Sequence, residues 1–152
     1  MPEVGSVAPP FTLSTNDDKG TISLADYKGK WVVLYFYPAD MTSGCTIEAR
    51  GFQKDIEEYQ KRDVQILGTS VDSVDKHREF CSKEGLSFPL LADTDGSISE
   101  AYGAALKFGP KVFSNRFTFL VDPAGKIARV YTNVNPPVHS KEVLDALDEL
   151  KA

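Results

Sequence analysis

Two cysteines, Cys45 and Cys81, are the residues of this sequence best suited to covalent chemistry. Cys45 follows the apolar run Trp31–Tyr37, which predicts a buried strand, and it begins an amphipathic segment that predicts a helix. This order places the thiol near the first turn of a helix, where unpaired N–H groups and the helix dipole favour an anion. Because the thiolate is the nucleophilic form of cysteine, this location favours a reactive Cys45, while a cysteine on an apolar helix stripe is also compatible with an inert core thiol.

Three residues just before Cys45 suit a tight site for a small ligand. The Thr42 hydroxyl can reach the thiolate or a bound oxygen, and a helix-cap role is compatible with the same position. Pro38 ends the strand without offering an N–H group, and it stiffens the loop. Gly44 carries no Cβ, so the backbone can approach a small ligand closely there.

The composition is that of an ordinary globular protein, with 41% hydrophobic and 26% charged residues. The 152 residues predict one compact domain over residues 1–152. A net charge of -5 without a Lys or Arg run argues against nucleic acid and anionic membranes as partners. No apolar stretch is long enough to span a bilayer, and two cysteines are too few for a disulfide scaffold. The expected compartment is the cytosol, unless a leader has been removed.

Hydrophobic periodicity predicts the helix that carries Cys45. Apolar residues recur at steps of three and four along one side, and charged residues lie on the other. The apolar stripe contains Cys45, Ala49, Phe52, Ile56 and Tyr59. The solvent face is expected to carry Glu48, Lys54, Asp55 and Glu58.

The rest of the chain alternates between strand and helix patterns. Further strands are predicted at Val64–Val71, Phe88–Leu91, Arg116–Val121 and Lys126–Tyr131. Helices are predicted at Val74–Glu84, at Ile98–Tyr102 and after a cap at Ser140. A hairpin between Phe11–Leu13 and Thr21–Leu24 is predicted, with its turn at residues 16–20. This order predicts an α/β fold, a thioredoxin-like sandwich with a mixed central sheet and an added N-terminal hairpin.

The segment from Pro38 to Cys45 has the Pro-x-x-x-Thr-x-x-Cys pattern of peroxiredoxins. With the Thr-Ile-Glu-Ala that follows the cysteine, it resembles the peroxiredoxin Q, or bacterioferritin comigratory protein, branch of that family. Gly5–Phe11 is similar to the family's opening, and Arg116–Asp122 is similar to its late strand. The resemblance therefore covers nearly the whole chain.

The resemblance implies a thiol-dependent peroxidase that reduces hydrogen peroxide and organic hydroperoxides through a sulfenic acid on Cys45. It implies that Pro38, Thr42 and Arg116 complete the pocket, with Thr42, Gly44 and Arg116 binding substrate. Attack on the O–O bond moves negative charge onto the departing oxygen, where donors such as a guanidinium help most. From its position alone, Arg116 is equally compatible with a surface arginine at a strand start.

The resemblance also bears on how the sulfenic acid is resolved. Many relatives carry a second thiol five residues after the first, where this chain has Arg50. Some carry it in the next helix, so the resemblance assigns Cys81 as the resolving cysteine of an intramolecular disulfide, reduced by thioredoxin or a similar dithiol protein. A disulfide needs Cα atoms within about 7 Å. We therefore predict that the start of the Cys45 helix, with or without the Cys81 helix, unfolds locally on oxidation.

Other chemistries fit the cysteines less well. Cys45–Glu48 lacks the Cys-x-x-Cys of thioredoxin-type oxidoreductases, and only four residues separate Cys45 from Arg50, one fewer than in a cysteine phosphatase loop. His77, expected on a solvated helix face, and His139, expected in a loop, have no ligand spacing with either cysteine. We therefore expect no metal and no other cofactor.

Two alternatives to a two-cysteine peroxidase stay open. Cys81 is an inert helix residue in the first, and Cys45 works alone with an external thiol. In the second the protein is a redox sensor or binding protein on the same fold, which stalls after one oxidation. We expect a monomer, because the branch is often monomeric and no extra arm follows the last helix.

Overall fold

The structure is a computed structural model that describes residues 1–16 and 20–151. The described strands are β1 (Thr12–Thr15), β2 (Thr21–Ser23), β3 (Trp31–Phe36), β4 (Val64–Ser70), β5 (Leu90–Ala92), β6 (Ala105–Phe108), β7 (Lys111–Ser114), β8 (Thr118–Val121) and β9 (Ile127–Tyr131). The described helices are α1 (Ser43–Lys54), α2 (Ile56–Lys61), α3 (Val74–Glu84), α4 (Ser97–Ala101) and α5 (His139–Lys151). Within these residues no helix has both the length and the apolar character needed to cross a bilayer.

Seven strands form one sheet in the order β2-β1-β5-β4-β3-β8-β9. The three strands β3, β4 and β5 run parallel, and the neighbours on either side of them run antiparallel. Because α1 and α2 connect β3 to β4 and α3 connects β4 to β5, the parallel pairs come from helical crossovers. The mixed sheet and the β1–β2 hairpin confirm the predicted fold class, while the hairpin turn at residues 17–19 lies outside the described residues.

The central strand β3 contributes to two cores, one on each face of the sheet. Alternate side chains of a strand point to opposite faces. One set, Val33 and Tyr35, packs with residues of α1, α3 and α5, including both cysteines. The other set, Val32, Leu34 and Phe36, packs with the opposite cluster. Cys45 and Cys81 therefore lie in the same core, on the helix-covered face.

Helix α3 matches its prediction at both ends. Ser73 is the N-cap, and its Oγ accepts a hydrogen bond from the Lys76 N–H at 3.2 Å. Gly85 is the C-cap with φ 65°, a left-handed conformation that glycine adopts without a Cβ clash. Local cap chemistry therefore sets both ends of the helix that carries Cys81.

The predicted continuous helix after Cys45 is wrong at Asp55, where α1 ends and α2 follows. The Asp55 carboxylate accepts a hydrogen bond from Ser140 Oγ at 2.7 Å. Ser140 was predicted to cap the last helix. That helix begins at His139, so Ser140 is its second residue, and its side chain is buried. At this break the Asp55 side chain is therefore bonded to Ser140 of α5, which lies 85 residues away in sequence. Helical periodicity does not encode such a contact.

His139 is buried at the start of α5 rather than placed in a loop. Its Nε2 lies 2.8 Å from Thr118 Oγ1, and its Nδ1 lies 3.1 Å from the Glu142 carboxylate. Burial lowers the pKa of His139, although the neighbouring Glu142 opposes that shift. The His139 ring therefore connects α5 to β8 through its hydrogen bond with Thr118.

Two other differences concern strands. The strand predicted at Phe88–Leu91 is β5, which begins after Pro89 and pairs on both sides, so the proline marks a strand end rather than a sheet edge. Residues 105–114, for which no strand was predicted, form the separate β6–β7 hairpin. The alternation of apolar and polar residues in this hairpin is weak, because most of its residues are exposed or half-buried.

Candidate active site

Cys45 is the third residue of α1, at the edge of the sheet where β3 ends. Thr42 is the N-cap, and the first intrahelical bond runs from the Thr46 N–H to the Thr42 carbonyl at 2.9 Å. The N–H groups of Ser43, Gly44 and Cys45 consequently have no acceptor within the helix. Cys45 therefore lies in the helical turn that carries these donors and the positive end of the helix dipole.

Arg116 reaches Cys45 from the segment before β8. Its Nη2 lies 3.4 Å from Cys45 Sγ, and its Nη1 donates to Glu48 Oε1 at 2.8 Å. Burial alone would lower the pKa of Arg116, but the charges of Cys45 and Glu48 raise it. Cys45 is 1% exposed, so the guanidinium acts on the sulfur with little screening by water. A positive charge therefore lies in contact with the Cys45 sulfur at a site that is closed to water.

Glu48 is only 1% exposed, so the prediction that it lies on the solvent face of the helix is wrong. Burial raises the pKa of its carboxyl to about 7, and the Arg116 guanidinium opposes part of that shift. Its Oε2 has no hydrogen-bond partner within the described residues. The spacing of three residues from Cys45, almost one helical turn, was the sequence signal that both side chains share a face.

Gly44 provides the space that Arg116 needs. A Cβ built on Gly44 would lie 3.0 Å from Arg116 Nη2, closer than most Cβ contacts in proteins. The guanidinium therefore sits against the backbone of the first helical turn. Glycine at this position allows that close approach.

Thr42 and Pro38 lie in the loop between β3 and α1. The Thr42 hydroxyl is exposed and donates to the Ala39 carbonyl at 3.0 Å, so its proton is directed away from the Cys45 sulfur. Its oxygen remains an acceptor in this arrangement. Pro38 is half-buried in the bend that follows the strand. The structure thus brings Cys45, Gly44 and Arg116 into contact, and it places Thr42 and Pro38 beside them in the loop.

A buried polar cluster supports the same loop from behind. Asp40 Oδ2 lies 2.6 Å from His77 Nδ1, and Asp40 Oδ1 accepts from the Tyr37 hydroxyl at 2.5 Å. The Asp40 N–H donates to Asp72 Oδ2 at 2.7 Å. His77 is fully buried, so its predicted place on a solvated face is wrong.

The side chains of Asp40, Asp72 and His77 lie close enough together to be compared with a metal site. Their possible ligand atoms lie within 4.8 Å of one another. Each of those side chains already has protein partners, and Asp72 also pairs with Lys76 at 3.2 Å. A metal ion would have to displace these bonds. We therefore describe the cluster as a hydrogen-bond network that supports the loop.

Cys81 lies on α3, and both cysteines are free thiols. Burial raises the pKa of the Cys81 thiol to about 12, and the negative charge of Asp40 adds to the shift. The thiol is therefore protonated and weakly nucleophilic in this conformation. Cys81 can become a nucleophile only where its surroundings change.

Known proteins resemble this chain in sequence and in structure. Residues 4–130 match the model of the AhpC/TSA family. The chain is 45% identical over 149 residues to a Coxiella burnetii protein named "Putative peroxiredoxin bcp", and the match covers 95% of this chain and 98% of that protein. The crystal structure of a PrxQ mutant from Xylella fastidiosa superposes with a TM-score of 0.92 and 30% identity, over 100% of this chain and 99% of the other.

A third similar protein is the bacterioferritin comigratory protein of Xanthomonas campestris. Its structure has a TM-score of 0.88 and 32% identity, over 98% of this chain and 96% of that chain. That structure is described as giving insight into the alkyl peroxide reduction activity of the Xanthomonas protein.

Proposed function

The chain belongs to the AhpC/TSA family as a peroxiredoxin of the Bcp or peroxiredoxin Q branch, and we propose that it reduces hydroperoxides through Cys45. The observation that carries the proposal is the Arg116 guanidinium, 3.4 Å from the Cys45 sulfur at the start of α1. A cation at the sulfur, together with the amides of the first helical turn, forms an environment for a thiolate and for the charge that leaves it.

In the first step, the Cys45 thiolate attacks the terminal oxygen of the hydroperoxide. A sulfur–oxygen bond forms as the O–O bond breaks, which gives a sulfenic acid and an alkoxide or hydroxide that takes up a proton. Negative charge moves from sulfur to the departing oxygen. We propose that Arg116 and the Gly44 and Cys45 amides stabilise it, and that the Thr42 hydroxyl does so once it exchanges its bond to the Ala39 carbonyl for one to the substrate, with Pro38 shaping the loop.

Glu48 has a positioning role in this proposal. Its carboxylate accepts one arm of the Arg116 guanidinium, which leaves the other arm directed at Cys45. Arg116 presents its donors in a fixed plane, so fixing one arm also orients the other. Glu48 therefore acts through Arg116 and does not itself contact the substrate.

The second step forms an intramolecular disulfide between Cys45 and Cys81. The Cys81 sulfur attacks the sulfenic sulfur, and the hydroxyl group leaves with a proton as water. Because the pKa of buried Cys81 is about 12, the step requires α3, or the start of α1, to open and expose the thiol. Arg50, at the alternative resolving position, instead pairs with Glu84 at 2.5 Å.

Reduction of the disulfide completes the proposed cycle. Thioredoxin or a similar dithiol protein restores both thiols and itself becomes a disulfide. The proposed substrates are hydrogen peroxide and organic hydroperoxides, in line with the alkyl peroxide reduction described for the Xanthomonas protein. The proposed state is a monomer without cofactor, and the proposed compartment is the cytosol, where reducing systems keep such thiols reduced.

Turnover tests this cycle against the two alternatives. We expect the wild type to consume many equivalents of hydroperoxide with thioredoxin, thioredoxin reductase and NADPH, and Cys45→Ser to consume none. A single equivalent consumed per protein would identify a sensor instead of an enzyme. Full thioredoxin-dependent turnover by Cys81→Ser would remove Cys81 from the cycle.

A further inference from the structure

We propose that the buried Asp40–His77 hydrogen bond, here called the Asp40–His77 link, holds the site in the peroxide-reactive conformation and must break before the disulfide forms. The inference deepens the proposed function, and its second half rests on the proposed disulfide between Cys45 and Cys81. Asp40 and His77 are positioning residues in this proposal, because neither touches the reacting sulfur.

The link joins the two segments that carry the cysteines. Asp40 lies five residues before Cys45 in the loop that leads into α1. His77 lies four residues before Cys81, about one turn earlier on α3. The Asp40 Oδ2 to His77 Nδ1 distance is 2.6 Å, and both side chains are 0% exposed. Movement of the two cysteine segments relative to each other therefore strains or breaks this bond.

Both ends of the link are fixed to other elements. Asp40 also accepts from the Tyr37 hydroxyl at 2.5 Å, and its N–H donates to Asp72 at 2.7 Å. On the far side of the ring, His77 Nε2 lies 2.9 Å from the Leu91 carbonyl of β5. Each polar atom in this dry network has a partner, so loss of one member leaves the others unsatisfied.

The residue after Asp40 shows why the loop needs such support. Met41 has φ 66°, in the left-handed region that non-glycine residues rarely occupy. A conformation of this kind persists where surrounding contacts hold it in place. The Asp40–His77 link is the buried contact directly before Met41 in the chain, and Met41 itself stands four residues before Cys45. Breaking the link frees the Met41 turn and, with it, the first turn of α1.

The link affects the two chemical steps in opposite directions. With the link formed, Arg116 contacts Cys45 in the first turn of α1, while Cys81 stays buried and protonated. With the link broken, Cys81 gains access to the sulfenic acid, but the peroxide site is no longer held together. A weaker link should therefore slow sulfenic acid formation and speed the disulfide step.

Three variants separate this positioning role from ordinary loss of stability. Asp40→Ala removes the link. Asp40→Asn can keep both hydrogen bonds, because the amide oxygen can accept from Tyr37 while the NH₂ group can donate to His77 Nδ1. His139→Ala is the matched control, since it also removes a buried hydrogen-bonded histidine network, but one between α5 and β8.

The measurements are stopped-flow rates of both steps with hydrogen peroxide, and amide exchange of the reduced proteins. For Asp40→Ala we expect the first step to slow and the second to speed up, each by about tenfold, as for loss of one buried hydrogen bond. Exchange should accelerate at residues 38–48 and 74–84 and stay unchanged in β3 and β4. Asp40→Asn should have wild-type rates. His139→Ala should not change the rates of the two steps in opposite directions.

Several results would contradict the proposed role of the Asp40–His77 link. These are unchanged rates in Asp40→Ala, a decrease of both rates with faster exchange throughout, or failure of Asp40→Asn to restore the rates. A wild type that forms no disulfide would instead refute the second step of the proposed function. In that case the amide exchange result alone tests whether the Asp40–His77 link holds the loop. Unchanged exchange at residues 38–48 in Asp40→Ala would refute that role.

Discussion

Cys45 depends on three neighbours that contribute charge, orientation and space. Arg116 contributes the cation, Glu48 holds one arm of its guanidinium, and Gly44 leaves room for the other arm. Gly44 and Glu48 can each be changed while Cys45 and Arg116 stay in the chain. The residue scale therefore offers two sharp tests.

Gly44→Ala tests the close approach of Arg116 to the helix. The new Cβ would lie 3.0 Å from Nη2, so the guanidinium must shift by a few tenths of an ångström. Alanine favours helices over glycine, so the fold should be no less stable. We expect the second-order rate constant for peroxide to fall about tenfold, as for weakening of one oxyanion donor. An unchanged rate constant would show that Arg116 does not act from this position.

Glu48→Gln tests the buried carboxyl through the pH dependence of stability. The pKa of Glu48 is about 7 in the folded protein, above its ordinary value of 4.5, because burial disfavours the charged form. Between these values the folded state binds more protons than the unfolded state, so this group lowers the free energy of unfolding as pH rises. Glutamine does not titrate, and it preserves an acceptor for Arg116.

Urea unfolding at pH 5 and pH 8 gives the comparison for this variant. The loss of unfolding free energy from pH 5 to pH 8 should be smaller in Glu48→Gln than in the wild type, by roughly 2–3 kcal/mol. Equal losses in the two proteins would contradict a raised pKa at Glu48.

At the scale of elements, the site forms where parallel strands end. Helix α1 follows β3, and α3 is reached from β4, so both loops emerge at the same edge of the sheet. That edge is where Asp40 meets Asp72 and His77. The order of strands and helices in the sequence predicted the mixed sheet with helical crossovers, but it did not predict this contact between the two cysteine segments.

Local and long-range features of the sequence differ in how well they predict these elements. The ends of α3 were predicted correctly because Ser73 and Gly85 act on the backbone beside them. The break at Asp55 was missed because it involves Ser140, which is distant in sequence. Glu48 and His77 were misplaced for a similar reason, since charged and polar residues are predicted to be exposed unless their buried partners are known.

Local unfolding on oxidation is the main prediction at this scale. The Cys45 and Cys81 Cα atoms must come within about 7 Å for a disulfide. Amide exchange in the disulfide form should therefore be faster at the start of α1, with or without α3, than in the dithiol form. The central strands β3 and β4 should exchange alike in both forms, as an internal control. Identical exchange throughout the two forms would refute the opening.

At the scale of the whole molecule, two cores share the strand β3 and face opposite sides of the sheet. Such sharing couples the helix-covered face to the other face. The prediction that residues 1–152 form one domain therefore implies a single cooperative unfolding transition. Circular dichroism and tryptophan fluorescence, which reports on Trp31, should give coincident urea transitions. Two separated transitions would contradict a single domain.

The family resemblance and the fold contribute different parts of the account. The Pro-x-x-x-Thr-x-x-Cys pattern predicted a role for Cys45, and the late-strand resemblance predicted one for Arg116, 71 residues later. The fold adds their contact and the buried Glu48 behind it. It also adds the Asp40–His77 link, which no sequence pattern indicated.

The measurement that tests the central claim most directly is intact mass after one equivalent of hydrogen peroxide is added to reduced protein. The wild type should lose about two mass units as the disulfide forms, and Cys81→Ser should gain about 16 for one oxygen, as the oxidation chemistry of cysteine requires. Cys45→Ser should remain unchanged on the same timescale. No rapid change in the wild type, or the same change in Cys45→Ser, would contradict a peroxidase that works through Cys45.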